Sequence, residues 1–213
     1  LYCSEDLGGF YLDVLKDRMY TLQAGSPARR SGQTAMYHVA EAMVRWMAPI
    51  LSFTADEIWG FLPSRDEASP LFATWYQGLV PLPANSRVSA AQWDRLLSLR
   101  EAITQALEPM RKDKRIGSGL DAEIDLHVGV TAMGGLSHAI EELRFLFLVS
   151  AVHVHPTPAP ADAVILEAGA IGLVARVSEA AKCARCWHHR DDVGAHAAHP
   201  ELCGRCVENI EGS

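Results

Sequence analysis

The hydrophobic pattern of this chain is helical at first, changes to a two-residue alternation near position 124, and ends in a segment with neither period. Leu7, Tyr11, Val14, Leu15, Met19 and Leu22 recur at helical spacing and predict an amphipathic helix over about 5–22. Ser26-Pro27 offers an N-cap and a first-turn proline to the next helix, whose stripe Met36, Val39, Ala40, Met43 and Met47 runs out near Pro49. Thr54-Ala55-Asp56-Glu57 reads as a capping box opening a short helix with Ile58, Trp59 and Leu62, closed by Pro63. Four prolines between 63 and 88 mark a long connection. Ser89-Ala90-Ala91-Gln92 is a second capping box, followed by the stripe Trp93, Leu96, Leu99, Ile103, Leu107 and Met110, with Pro109 expected to kink the helix near its end.

Beyond this point the period changes. Ile124, Leu126, Val128 and Val130 alternate with Asp125, His127 and Gly129, which predicts a half-buried strand. A short helix around 137–146 and strand-like runs at 148–155, 163–167 and 171–178 follow. The expected fold is multidomain, α then α+β. A helical bundle spans 1–115, a small α+β junction domain 116–178, and a cysteine-rich tip 179–213.

Composition narrows the function. Hydrophobic residues make up 49 % and charged residues 21 %, as in an ordinary soluble domain. No apolar run approaches the ~20 residues of a membrane span and no secretory signal is present, so a cytoplasmic protein is expected. In that reducing setting closely spaced cysteines favour a metal over disulfides. The net charge of -7 excludes a bulk electrostatic grip on nucleic acid, so any such contact must use local basic patches. Residue 1 is Leu, and helical periodicity starts almost at once, as expected of a piece of a longer chain.

The tip carries the clearest chemistry. Cys183, Cys186, Cys203 and Cys206 have the spacing C-x₂-C-x₁₆-C-x₂-C, in which each pair offers two sulfurs to one tetrahedral Zn²⁺. Four thiolates close the coordination sphere, so the ion is structural, and a segment this short depends on it for folding. The nearby His188, His189, His196 and His199 are expected to face solvent. Arg185 and Arg205, each between two ligands, either offset the negative zinc–thiolate cluster or reach a phosphate. Trp187 either packs on the tip or stacks on a base. Trp46, Trp59 and Trp93 lie on apolar stripes and are expected in the core. Trp75 has no assignment, and Cys3 is a lone thiol.

The stretches "GGFYLDVLKDRMYT" (8–21), "RRSGQTAMYHVAEAMVRWMAPILSFTADEIWGFLP" (29–63), "RIGSGLDAEIDL" (115–126), "ELRFLFLVS" (142–150) and "KCARCWHHRDDVG…LCGRCVENI" together resemble the C-terminal part of bacterial isoleucyl-tRNA synthetase. The resemblance runs over essentially the whole chain. "RWMAPILSFTADEIW" is shared in outline with the valyl, leucyl and methionyl enzymes, and the terminal four-cysteine segment narrows the match. What the resemblance implies is a helical bundle that binds the anticodon stem and loop of tRNA(Ile), a junction domain and a zinc-binding tip. The parent enzyme would ligate isoleucine to tRNA as a monomer, with ATP and Mg²⁺ held in a catalytic part outside these residues. No catalytic residue is expected here, since neither synthetase signature segment is present. The expected RNA contacts are Arg29 and Arg30 at a helix start, Arg111, Lys112, Lys114 and Arg115 at a helix end, and Arg185, Trp187 and Arg205 in the tip. The helix dipole alone also accounts for cations at a helix C-terminus.

Two other classes share the tip. A DNA-repair glycosylase of the formamidopyrimidine type has a similar zinc finger but relies on an N-terminal proline, whereas this chain begins Leu1-Tyr2-Cys3. A free-standing zinc interaction module fits the tip but not the bundle.

Overall fold

A computed structural model describes residues 1–63, 67–129, 140–166 and 170–212. The chain folds as two compact units, one of Leu22–Pro83 and one of Leu1–Thr21 with Ala84–Ser213. The helix preceding residue 115 shares its core with the sheet that follows it.

In the smaller unit, α2 (Pro27–Met47) starts as the sequence predicts, with Ser26 accepting from the Arg29 amide. Its buried positions are Gly32, Glu41, Ala42 and Val44, and the methionine stripe is only half-buried. α3 (Ser52–Phe61) returns against it, closing a small core of Val44, Ala48, Ala55 and Trp59. The expected capping box at Thr54 does not form. The helix begins earlier, with Leu51 as N-cap and no side-chain cap, and Thr54 already lies inside it. Glu41, although buried, is paired with Arg45 one turn on, and the Arg45 guanidinium lies 4.7 Å from the centre of the Trp59 ring. With Val44 facing inward, Trp46 two positions later points elsewhere on the helix and is 45 % exposed, against expectation.

In the larger unit, a π-helical segment over Cys3–Tyr11 leads into α1 (Leu12–Thr21). α4 (Ala90–Lys112) opens on the predicted capping box, with Ser89 and Gln92 each satisfying the other's backbone amide. Leu96, Leu99, Ile103, Leu107 and Met110 are buried, so the expected stripe faces the core. Trp93, on the first turn, lies before that core begins and is 39 % exposed. The core's other wall is a four-stranded mixed sheet in the order β2-β1-β4-β3, made of β1 (Ala122–Val128), β2 (Ala151–His155), β3 (Val164–Leu166) and β4 (Ile171–Val177). β1 is parallel to β2 and antiparallel to β4. Between β1 and β2 runs α5 (Ile140–Phe147), which adds Leu143, Leu146 and Phe147 to the core. Val130 and the expected helix start near Ser137 lie outside the described residues. Gly119 is required where it stands, since a Cβ there would meet the Leu148 carbonyl oxygen at 2.5 Å. No helix among the described residues is long and apolar enough to cross a membrane.

Candidate metal centre and nucleic-acid interface

The four cysteines converge. Cys183, Cys186, Cys203 and Cys206 are buried and their sulfurs all lie within 4.8 Å of one another. Cys186 Sγ and Cys203 Sγ are 3.8 Å apart. Sulfurs held about 2.3 Å from one tetrahedral centre would be separated by about 3.8 Å, so the donor set fits Zn²⁺. The first pair sits on a tight turn. The Trp187 amide donates to the Cys183 carbonyl at 3.0 Å, and the Cys183 amide to the His188 carbonyl at 2.9 Å. Trp187 itself takes a left-handed conformation, φ 64°. The second pair opens α6 (Gly204–Glu211), with Cys203 at the N-cap, where the positive end of the helix favours thiolate. Contacts from Cys186 and Cys206 hold the Cys203 sulfur down to about 3, while the same crowding pushes Cys206 far up. Such a cluster accommodates four charged sulfurs only with a cation at its centre. When bound, the ion supplies the cross-link that a segment with so little core of its own lacks.

The tip is packed onto the larger unit, and this changes the reading of its side chains. His188 is buried, with its ring edge-on to Phe145, and His189 and His199 are half-buried, so of the four histidines expected in solvent His196 alone is fully exposed. The His189 amide donates to Ser150 Oγ at 2.6 Å, and its ring reaches the Ala180 carbonyl and Asp121. Asp121 also accepts from Lys182 Nζ at 2.9 Å and from the Gly117 and Ser118 amides at 2.9 and 2.8 Å. Burial alone would raise its carboxyl, but Lys182 and the two amides hold it well below the usual carboxylate range. A depressed folded value means stabilisation that is present above the unfolded value near ~4 and is lost as pH falls through the folded one. Asp121→Asn should therefore lower the melting temperature at pH 7, and its gap from wild type should close as the pH is lowered below about 4. Thermal melts at several pH values check this.

Both arginines between the sulfurs reach α1. Arg205 makes a two-pronged ion pair with Asp17, both contacts at 2.7 Å, and its guanidinium lies 5.1 Å from the centre of the Phe145 ring. Burial would weaken its charge, but Asp17 and the Cys186 sulfur more than offset that. Arg185 donates to the Thr21 carbonyl at 2.7 Å, at the end of α1. Of the two roles open to these residues, the geometry gives each an intramolecular partner, and phosphate is not needed to explain either. Trp187, by contrast, is 63 % exposed.

The remaining candidates divide between the units. Arg111 pairs with Glu108, while Lys112, Lys114 and Arg115 are exposed and make no ion pair among the described residues. In the smaller unit, Arg29 donates to the Leu22 carbonyl at 2.9 Å, and Arg30 is exposed beside Gln33. A cleft of about 850 Å³ in the larger unit is bounded by Lys16, Tyr20, Arg100, Arg111, the backbone of 117–119, Phe147 and Trp187. Sequence periodicity gave no sign of it, because its walls come from positions more than 160 residues apart. It joins an exposed indole and an exposed phenol to a rim of mixed charge, in which Asp13 and Asp17 accompany Lys16, Arg100 and Arg111 and Lys16 is paired with Asp13.

Residues 1–126 match the family described as the anticodon-binding domain of tRNA ligase, and the chain belongs to that family. Residues 181–209 match a second description, the zinc finger found in FPG and IleRS. Among curated relatives, the isoleucine–tRNA ligases of Methylococcus capsulatus and Pseudomonas paraeruginosa are 53 % and 50 % identical over 213 residues, the whole of this chain. That of Halorhodospira halophila is 53 % identical over 216 aligned positions. The chain spans 23 % of the length of each.

Proposed function

We propose that this chain is the tRNA-binding C-terminal portion of an isoleucine–tRNA ligase and that it positions the anticodon arm of tRNA(Ile). The observation that carries this reading is the succession of an anticodon-binding domain and a zinc finger within one chain that aligns throughout with isoleucine–tRNA ligases. The parent enzyme, a cytoplasmic monomer, uses ATP and Mg²⁺ in its own catalytic part to join isoleucine to tRNA, and the present residues supply no catalytic group. The zinc ion is structural, held by Cys183, Cys186, Cys203 and Cys206. RNA meets Trp187 and the cations Arg111, Lys112, Lys114 and Arg115 on the larger unit, and Arg29 and Arg30 on the smaller one. Arg185 and Arg205 act on RNA only indirectly, by keeping the tip on α1.

Filter binding of the zinc-loaded chain to tRNA(Ile) and to a tRNA of another specificity tests the reading. Tighter binding of tRNA(Ile) is expected, and equal affinity for both would overturn it. Stacking of one base on an aromatic ring is worth ~1–3 kcal/mol, so Trp187→Ala should weaken tRNA binding about 5- to 150-fold at unchanged zinc content. Neutralising any one of Lys112, Lys114 and Arg115 that binds a phosphate should reduce the slope of log affinity against log salt by about 0.7–0.9.

A further inference from the structure

The smaller unit is poor in core and rich in exposed apolar side chains. Its interior is Val44, Ala48, Ala55 and Trp59, with Ile58, Leu62 and Ala73 partly buried against them. Ala55 and Trp59 set the buried side of α3. At about 3.6 residues per turn, Phe53, Asp56, Glu57, Gly60 and Phe61 fall on the opposite side. Phe53, Phe61 and, in the turn before α3, Ile50 are almost wholly exposed, and Leu51 is half-exposed. The two phenylalanines stand about 12 Å apart along the helix and leave on the order of 300 Å² of aromatic surface in water. Single exposed hydrophobic residues are ordinary on a protein. Several gathered on one short helix and the turn that enters it mark a surface built to be covered.

Gly60 adds an independent sign. A Cβ there would meet nothing within 4 Å, and the residue is not in the left-handed region, so the fold itself does not require glycine. Glycine weakens a helix relative to alanine, and what it offers in return is close approach of a neighbouring backbone.

The charges on this side decide what covers it. Asp56 and Glu57 lie between the phenylalanines, exposed and without an ion pair among the described residues. They would repel the phosphates of RNA or of an anionic membrane surface. A second copy meeting the same face across a two-fold axis would set these carboxylates against one another. An apolar surface bordered by Lys or Arg satisfies both the rings and the charges. The chain spans 23 % of the length of its curated relatives, so most of such a protein lies outside these residues.

We propose that this side of α3, with Ile50 and Leu51, docks against another part of the parent ligase. That part presents apolar side chains rimmed by Lys or Arg and comes closest at Gly60. The docking rests on the ligase reading for its partner, and it needs no tRNA.

Hydroxyl-radical footprinting, read by mass spectrometry, compares side-chain exposure in the 213-residue chain and in the full-length parent enzyme, both loaded with zinc. Without tRNA, Phe53 and Phe61 should be oxidised at least about fivefold more slowly in the full-length enzyme, as rings in the dry centre of an interface are. Phe61→Asp or Gly60→Leu in the full-length enzyme should return Phe53 oxidation to the rate of the short chain. Neither substitution should lower the melting temperature of the short chain, where both positions are exposed. Equal oxidation of the two rings in both proteins would overturn the proposal. So would rates already slow in the short chain, slow rates there that appear only at high concentration, or protection that appears only on adding tRNA. These outcomes give the face to the rest of the short chain, to a second copy and to RNA, respectively. The tRNA reading is followed separately, through Trp187. If tRNA(Ile) leaves Trp187 oxidation unchanged while Phe53 stays protected, that reading fails and the docking stands.

Discussion

Cys203→Ser should lose the zinc ion and unfold residues 181–208, with metal analysis falling from about one zinc per chain to none. Structural zinc contributes ~10–16 kcal/mol to small metal-dependent segments at neutral pH, far more than the few apolar side chains here can replace. Cys203 is also the N-cap of α6, and its amide donates to Cys183 Sγ at 3.4 Å, so its loss disturbs both halves of the centre. The damage should reach further than a dangling tip would allow. Because His189 is bonded to Ser150 and Asp121, hydrogen exchange should quicken at the start of β2 and around 117–121 as well. The α2–α3 unit, with its own core, should keep its protection. Full protection of 181–208 from proteolysis in a zinc-free sample would refute the dependence.

Arg205→Ala should destabilise the larger unit by about 1.5–3 kcal/mol, the scale of a charged hydrogen-bonded pair that is partly buried. Asp17, 13 % exposed at the side chain in the intact pair, would keep an uncompensated charge, and the Phe145 ring would lose one of its two guanidinium neighbours, Arg144 remaining. The double variant Asp17→Asn/Arg205→Gln removes both charges and should recover a good part of the loss. Denaturant melts of the single and double variants measure this directly. The slope of tRNA affinity against salt should barely change in either. A slope reduced by about 0.7–0.9 with unaltered stability would instead give Arg205 to phosphate.

What could be read from the sequence was what depends on neighbours along the chain. The capping box at Ser89, the stripe from Leu96 to Met110 and the alternation of β1 are local devices, and the structure keeps them. The four cysteines were legible because metal geometry ties spacing to coordination. Apolar character alone did not locate the core of the smaller unit. Ile50, Phe53 and Phe61 are as hydrophobic as Val44 and Ala55 yet are 83 %, 94 % and 84 % exposed. The partners of Arg185, Arg205 and His189 were invisible for another reason. They lie up to 188 positions away, and no periodicity connects Asp17 to Arg205.

The clasp between Asp17 and Arg205 also bears on how the chain is made. Within these residues α1 is made before its partners: α5 follows only after the Leu22–Pro83 unit and β1, and α6 only after the whole sheet. Folding of the larger unit is thus dominated by contacts between distant positions, the kind that form slowly. The smaller unit can fold while the rest is still emerging. Among the steps within these residues zinc capture comes late, since two of its ligands lie at 203 and 206. A nascent chain released before Cys206 would expose the underside of α1 and the Phe145 surface, giving cellular proteases a clear mark of an unfinished product.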